Sequence, residues 1–301
     1  MIPAKPAIPQ TQRASGTFPL RFEDLAQDGR LLLDAATVAF GVSIWNTLMS
    51  DHPLRPWMTK NGVVPILSRL AIEGAPGPFS VAATMTSRGE FELAHARDAH
   101  GEVARIFLNM WADITGPVGL TRGPKPANRG DVTAAARVFA EHSFTRLFDP
   151  PHERRVVRFD VPGFPAVPEL RYEPRPFAEM LALPPGARAL DEMALDPIEI
   201  AFGLCHTDAN QHVNSLVYPR MFEEAALRRF ADLGRSSAFL SRSLEIAFRK
   251  PFFAGERARI SLRAFEHEGK LGACGVFLSV VDAHDLATAK PHAYVQTMFE
   301  K

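Results

Sequence analysis

The sequence predicts an α+β fold in which one unit, a helix with an antiparallel sheet, occurs twice. Three observations predict it. An order of strand, helix and long meander runs from 18 to 115 and returns from 195 to 301. Each half carries one amphipathic helical pattern among runs that read as strands. Short anchors also keep their order in both halves: Asp34-Ala35 with Asp208-Ala209, Pro78-Phe79 with Pro251-Phe252, and Asp98-Ala99-His100 with Asp282-Ala283-His284. The first two pairs are about 174 residues apart and the third 184.

Taken in order, residues 1–17 are rich in Pro, Gln, Ser and Thr and predict a disordered or surface-draped arm. The first copy, 18–115, reads as a strand, a turn at Asp28-Gly29, a short strand at Leu31 to Leu33, and a helix whose apolar stripe includes Phe40, Ile44, Trp45 and Leu48. Four β-like runs follow, VVPILSRLAIEG, FSVAATMTSRG, EFELAHARD and EVARIFLNMWADIT, divided by glycine-containing turns. Residues 116–194 turn to Pro and Gly and predict a linker with short helical pieces at 131–148 and near 175–182. From 195 to 301 come a strand, a helix and four strands.

Composition narrows the function classes. At 301 residues and 46% apolar content the chain can bury a large core. Lys plus Arg equals Asp plus Glu at 34 each, so no net field draws it to nucleic acid or to an anionic membrane. Two cysteines, Cys205 and Cys274, fit a reducing compartment rather than a disulfide framework. No apolar run reaches the roughly 18 residues of a spanning helix, and the N-terminus has no signal-like segment. A cytoplasmic protein with no membrane or nucleic-acid partner is expected; assembly into a homodimer is left open.

The chemistry concentrates between Cys205 and Leu233. Tyr218, Met221, Phe222, Ala225, Phe230 and Leu233 form a helical stripe, and Pro219, tolerated only in a first turn, places the helix start close to Ser215–Tyr218. Asp208, Asn210, His212 and Asn214 therefore lie just outside a helix N-terminus, where unpaired N–H groups and the dipole favour a developing oxyanion. The amides from Asn214 to Val217 are the expected donors. Asp208 is a base or nucleophile, or else a carboxylate that satisfies free loop amides. His212 is a base or an orienting group, or else a structural imidazole. Asn210 would position water or Asp208. Asn214 reads as a cap and Tyr218 as a stripe residue, although both stand close enough to meet substrate. In the aligned first copy Ala36, Val38 and Phe40 replace Asn210, His212 and Asn214, so only the second copy keeps polar chemistry. Cys205 could be a nucleophile but reads better as a buried strand residue. The residues His95, Asp98, His100 and Glu102 have metal-ligand types but read as a solvated hairpin turn.

The motif D-x-N-x-H-V-N-x-x-x-Y, here Asp208, Asn210, His212, Val213, Asn214 and Tyr218, resembles that of the hot-dog thioesterase superfamily. Two tandem copies with the polar motif in the second are similar to the plant-type and bacterial acyl-ACP thioesterases. The resemblance implies a tandem, double hot-dog, each copy a long helix wrapped by an antiparallel sheet. It also implies hydrolysis of an acyl thioester, carried by acyl carrier protein or coenzyme A, without metal or cofactor. Asp208, Asn210 and His212 would be catalytic, and the first copy would shape the acyl pocket; Trp45, Leu48 and Met49 of the first helix read most simply as core and, second, as the lining of an acyl tunnel in which Trp45 and Met49 contact substrate. The family places a Glu on the strand after the helix, where this chain has Pro251 and Phe252; Glu245 and Glu256 flank the position, and strand phase decides whether either points inward. A hot-dog dehydratase or hydratase acting on 3-hydroxyacyl thioesters and a non-catalytic acyl-binding module are the other readings.

Overall fold

Five long strands build the N-terminal unit, residues 2–174, in the computed structural model, which describes residues 2–284 and 288–301. They are β1 (Arg13–Pro19), β2 (Val63–Gly74), β3 (Thr84–Arg97), β4 (Val103–Pro117) and β5 (Val132–Arg146), ordered β1-β3-β4-β5-β2, and a two-residue β6 (Leu170–Arg171) runs parallel to β3. Their long pairings are antiparallel. A helical run lies on one face: α1 (Val38–Phe40), a π turn over Gly41–Trp45, and α2 (Asn46–Ser50), with α3 (Leu54–Lys60) beyond. Ala36, Ala39, Phe40 and Ile44 are buried along it, while Trp45 and Leu48 are half-buried; the Met49 side chain lies outside the described residues.

Three sequence expectations change here. The two runs FSVAATMTSRG and EFELAHARD are one strand, because Gly89 sits mid-strand where the helix passes close: a Cβ there would meet Ile44 Cγ1 and Ser43 Oγ at 2.6 Å. The segment 131–148 is β5, not helix. Its alanines have helical propensity, but pairing with both β2 and β4 overrides that preference. The N-terminal arm is folded. Residues 13–17 belong to β1, and Ile8 packs on Ala71, Trp111 and Phe139, a patch on the sheet face away from the helix that otherwise meets water.

One polar side chain stands out on the helix face. His142 of β5 is 8% exposed, and among the described residues no partner meets its Nδ1. Burial, partly offset by the Leu108 carbonyl, pushes this imidazole down to about 3 from 6.5. Unfolded, the group takes a proton below about pH 6.5; folded, it stays neutral until about 3. The stability it contributes is thus complete above pH 6.5 and lost as pH falls from there towards 3. His142→Phe should flatten the decline in urea midpoint across that window, where His52 and His292, also lowered by burial, continue to act. An unchanged pH slope in the variant would assign the decline to other groups.

The C-terminal unit, residues 175–301, has the strands β7 (Arg188–Ala189), β8 (Ala194–Ala201), β9 (Leu240–Phe248), β10 (Arg257–His267), β11 (Lys270–Ser279) and β12 (Ala293–Glu300). Their order is β9-β12-β11-β10, with β7 and β8 both paired to β10. The helix α4 (Val217–Asp232) buries Tyr218, Phe222, Ala225, Ala226 and Phe230 against Phe277 and Phe299; Met221 and Leu233 of the expected stripe are half-buried. The opposite face is covered by a 3-10 turn, Phe177–Leu181, which places a helical piece where the sequence predicts one. Among the described residues, no helix is long and apolar enough to cross a membrane.

The stretch 116–194 is therefore not a separate linker. Most of it is strand or cover for one unit or the other, and the boundary falls between 174 and 175. The third anchor pair is also not equivalent. Asp98-Ala99-His100 turns β3 into β4, whereas Asp282–His284 lies between β11 and β12; the matching turn in the second copy is Glu268-Gly269.

Candidate active site

The polar motif forms a tight turn ahead of α4. An isolated bridge joins Thr207 to Val213, the Asp208 amide donates to the His212 carbonyl at 3.2 Å, and the Gln211 amide donates to the Asp208 carbonyl at 2.9 Å. Gln211 takes φ 65°, the left-handed region, to close it. The Asn214 amide donates to the His206 carbonyl at 2.9 Å, and α4 begins at Val217, inside the window that Pro219 sets. The turn is fastened from outside by Phe252. Its carbonyl accepts from the Val213 amide at 2.8 Å, and its amide donates to the Tyr218 hydroxyl at 3.1 Å.

The side chains divide the work. Asp208 accepts from the Asn210 amide at 2.8 Å and from Asn214 Nδ2 at 3.0 Å, so its carboxylate satisfies the loop. Asn214 Oδ1 accepts from the Leu216 amide at 2.8 Å, an Asx turn just ahead of the helix, whose N-cap is Leu216. His212 Nδ1 lies 3.1 Å from the Val213 carbonyl. A carbonyl only accepts, so Nδ1 holds the proton and Nε2 presents a lone pair. The Asn210 side chain is exposed and, among the described residues, meets no partner. No side-chain hydrogen bond joins His212 to Asp208 or Asn210 among the described residues. Tyr218 is a core residue: 2% exposed, ringed by Phe202, Phe248, Phe252 and Phe277, with burial pushing its hydroxyl up to about 12.

Of the expected oxyanion donors, Asn214, Leu216 and Val217 are already spent within the chain. Ser215 is the amide of that group without a partner among the described residues. Neither glutamate joins the site. Glu245 is buried but faces the Phe177–Leu181 side, ion-paired to Arg175 at 2.8 Å, and Glu256 accepts from the Phe253 amide at 2.9 Å to close a turn. Cys205 is exposed in a 3-10 turn rather than buried in a strand. His95 is buried and donates from Nδ1 to the Pro168 carbonyl at 2.8 Å, while Asp98 caps the amides of His100 and Glu102; no metal-binding group of three ligands occurs among the described residues.

The first copy repeats the turn with different residues. Leu25 bridges Leu31, the Ala26 amide donates to the Arg30 carbonyl, the Gly29 amide to the Ala26 carbonyl and the Leu32 amide to the Asp24 carbonyl, each at 2.9 Å. Gly29, at φ 84°, takes the place of Gln211. The counterparts of Asp208, Asn210, His212 and Asn214 are therefore Ala26, Asp28, Arg30 and Leu32, not the helix residues that the Asp-Ala anchor suggests. Asp34 instead caps the first helix through the Ala35 amide. The first turn does keep polar residues, an Arg30–Asp28 pair at 2.6 Å, but a guanidinium offers no base at neutral pH. Phe252 and His292 were missed in the sequence. His292 stacks flat on the Phe252 ring at 3.7 Å and donates from Nδ1 to the Pro251 carbonyl. The signal for the fastening segment was there, the Pro-Phe dipeptide of both copies: the Phe79 amide donates to the Gly29 carbonyl at 2.7 Å.

Comparison with solved structures supplies matches along almost the whole chain. The 12:0-ACP thioesterase of Umbellularia californica superposes with a TM-score of 0.56 at 12% identity, over 96% of this chain and 97% of that one. An acyl-ACP thioesterase of Bacteroides thetaiotaomicron gives 0.57 at 12% identity, over 97% and 99%. The chain has the double hot-dog fold. No family model and no curated protein matches the sequence. In double hot-dog terms, the N-terminal hot-dog carries the Asp28–Arg30 turn and the C-terminal hot-dog the Asp208–His212 turn, each leading into its own helix.

Proposed function

We propose that this double hot-dog protein hydrolyses an acyl thioester, on acyl carrier protein or coenzyme A, to free acid and thiol. The observation that carries the reading is His212 Nε2, left as the open ring nitrogen by the Nδ1 bond to Val213, three residues ahead of the Ser215 amide, which is unspent among the described residues, at the entry of α4. Water gives a proton to His212 Nε2 as its oxygen bonds the thioester carbonyl carbon. The oxyanion is held by the Ser215 N–H and the positive helix end. Collapse breaks the C–S bond, and the thiolate leaves with the proton from His212. Asp208 is assigned to hold the turn, and the free Asn210 amide to orient the water. No metal or cofactor enters this scheme.

Release of free thiol from a panel of acyl-CoA and acyl-ACP substrates tests it directly; absence of release at every chain length would end the hydrolase reading. The missing carboxylate on the strand after α4 favours one alternative, an acyl-binding module without chemistry, which would bind acyl chains and release no thiol. A 3-hydroxyacyl dehydratase would instead change the enoyl-thioester absorbance.

A further inference from the structure

His142 is a neutral imidazole placed where, among the described residues, nothing answers one of its nitrogens. It projects from β5 on the helix face of the N-terminal unit, in register between Leu67 of β2 and Leu108 of β4. Trp45 meets it edge-on at 5.3 Å between ring centroids. Trp45 ends the π turn Gly41–Trp45, an interruption of the kind that recurs at functional positions in helices. The imidazole carries one proton, and the Leu108 carbonyl is the backbone group that receives it. Nδ1, buried and without a partner, is then a lone-pair acceptor among apolar side chains. An unmet acceptor in such a place is costly to the fold. Trp45, Leu48 and Leu67 are half-buried, so apolar surface leads from solvent towards it.

We infer that this is a subsite for a hydroxyl group carried on an acyl chain: the chain lies against Trp45 and Leu67, and its O–H donates to His142 Nδ1. The inference rests on the acyl-thioester reading and narrows it to chains bearing a hydroxyl. A hydroxyl is the group that this acceptor takes directly, since an oxo group has no proton to give it. A site that hydrogen-bonds a ligand hydroxyl discriminates strongly against the ligand that lacks it.

The test separates binding from turnover. Dodecanoate and a set of monohydroxydodecanoates are titrated against the full chain, with Trp fluorescence as readout, for wild type, His142→Phe and His142→Gln. One positional isomer should bind about tenfold tighter than dodecanoate to wild type. His142→Phe should abolish that preference without weakening dodecanoate, and His142→Gln, which restores an acceptor, should keep part of it. Equal affinities in wild type, as when only a water occupies Nδ1, or a preference that survives in His142→Phe, would overturn the subsite. Circular dichroism identifies a variant that fails to fold, and His142→Gln then decides, since a reduced preference with dodecanoate binding intact supports the subsite and a preference equal to that of wild type overturns it. Thiol release is measured in parallel. Release without hydroxyl preference removes the subsite alone; preference without release removes the hydrolase reading alone.

Discussion

His212→Gln is expected to lower kcat for thioester hydrolysis by about 100- to 10 000-fold, the range that a positioned general base supplies. The circular dichroism spectrum and melting temperature should barely move, because the backbone bonds that close the turn, Asp208 to His212 and Gln211 to Asp208, do not involve the imidazole. Asp208→Asn gives the contrast. It keeps an acceptor for the Asn210 amide and loses the one for Asn214 Nδ2, so the cost of a displaced turn should be about tenfold. If Asp208 were instead the nucleophile, its replacement would cost at least as much as that of His212. A rate in His212→Gln within a factor of three of wild type would remove the imidazole from the mechanism.

Arg228→Leu is expected to destabilise the fold by about 1–3 kcal/mol, because it strands the buried Asp196 carboxylate, although the half-exposed guanidinium is itself partly screened by water. Arg228 projects from α4 and donates through Nη2 at 2.8 Å and Nε at 3.2 Å to Asp196 at the start of β8, whose side chain is only 4% exposed. The other bond to its carboxylate, from the Ile198 amide at 3.2 Å, carries no charge, and the Arg259 guanidinium donates to the Asp196 backbone carbonyl rather than to the side chain. Urea denaturation measures the loss, and adding Asp196→Leu to the variant should recover much of it. A single-variant loss below about 1 kcal/mol would mean that water reaches the carboxylate and screens it.

What could be read from the sequence follows from where local chemistry decides structure. Pro219 fixed the helix entry because proline leaves few positions open, and the strands β2, β4 and β9 to β12 are apolar runs bounded by turns. β5 was not legible. Its alanines favour a helix by themselves, and only its neighbours on both sides make it a strand. The polar motif was legible as a cluster, but the roles within it were not, since they depend on which atoms are already spent. The Asn214, Leu216 and Val217 amides look available in a sequence, and hydrogen bonds inside the chain consume them. The internal register misled for a related reason. Asp34-Ala35 matches Asp208-Ala209 by letter, yet the true equivalence runs through backbone bonds that Ala26, Gly29 and Leu32 make as well as Asp208, Gln211 and Asn214 do.

That shared backbone has a kinetic consequence. Each chain holds two copies of one turn, but the first carries a guanidinium, a donor only, where the second carries an imidazole with an open ring nitrogen. Removing the His212 imidazole should therefore leave no second base of this kind in the chain, and the duplicate should sustain no residual turnover. The first turn serves as an internal blank, with the same amides and the same helix entry but no group to accept a proton.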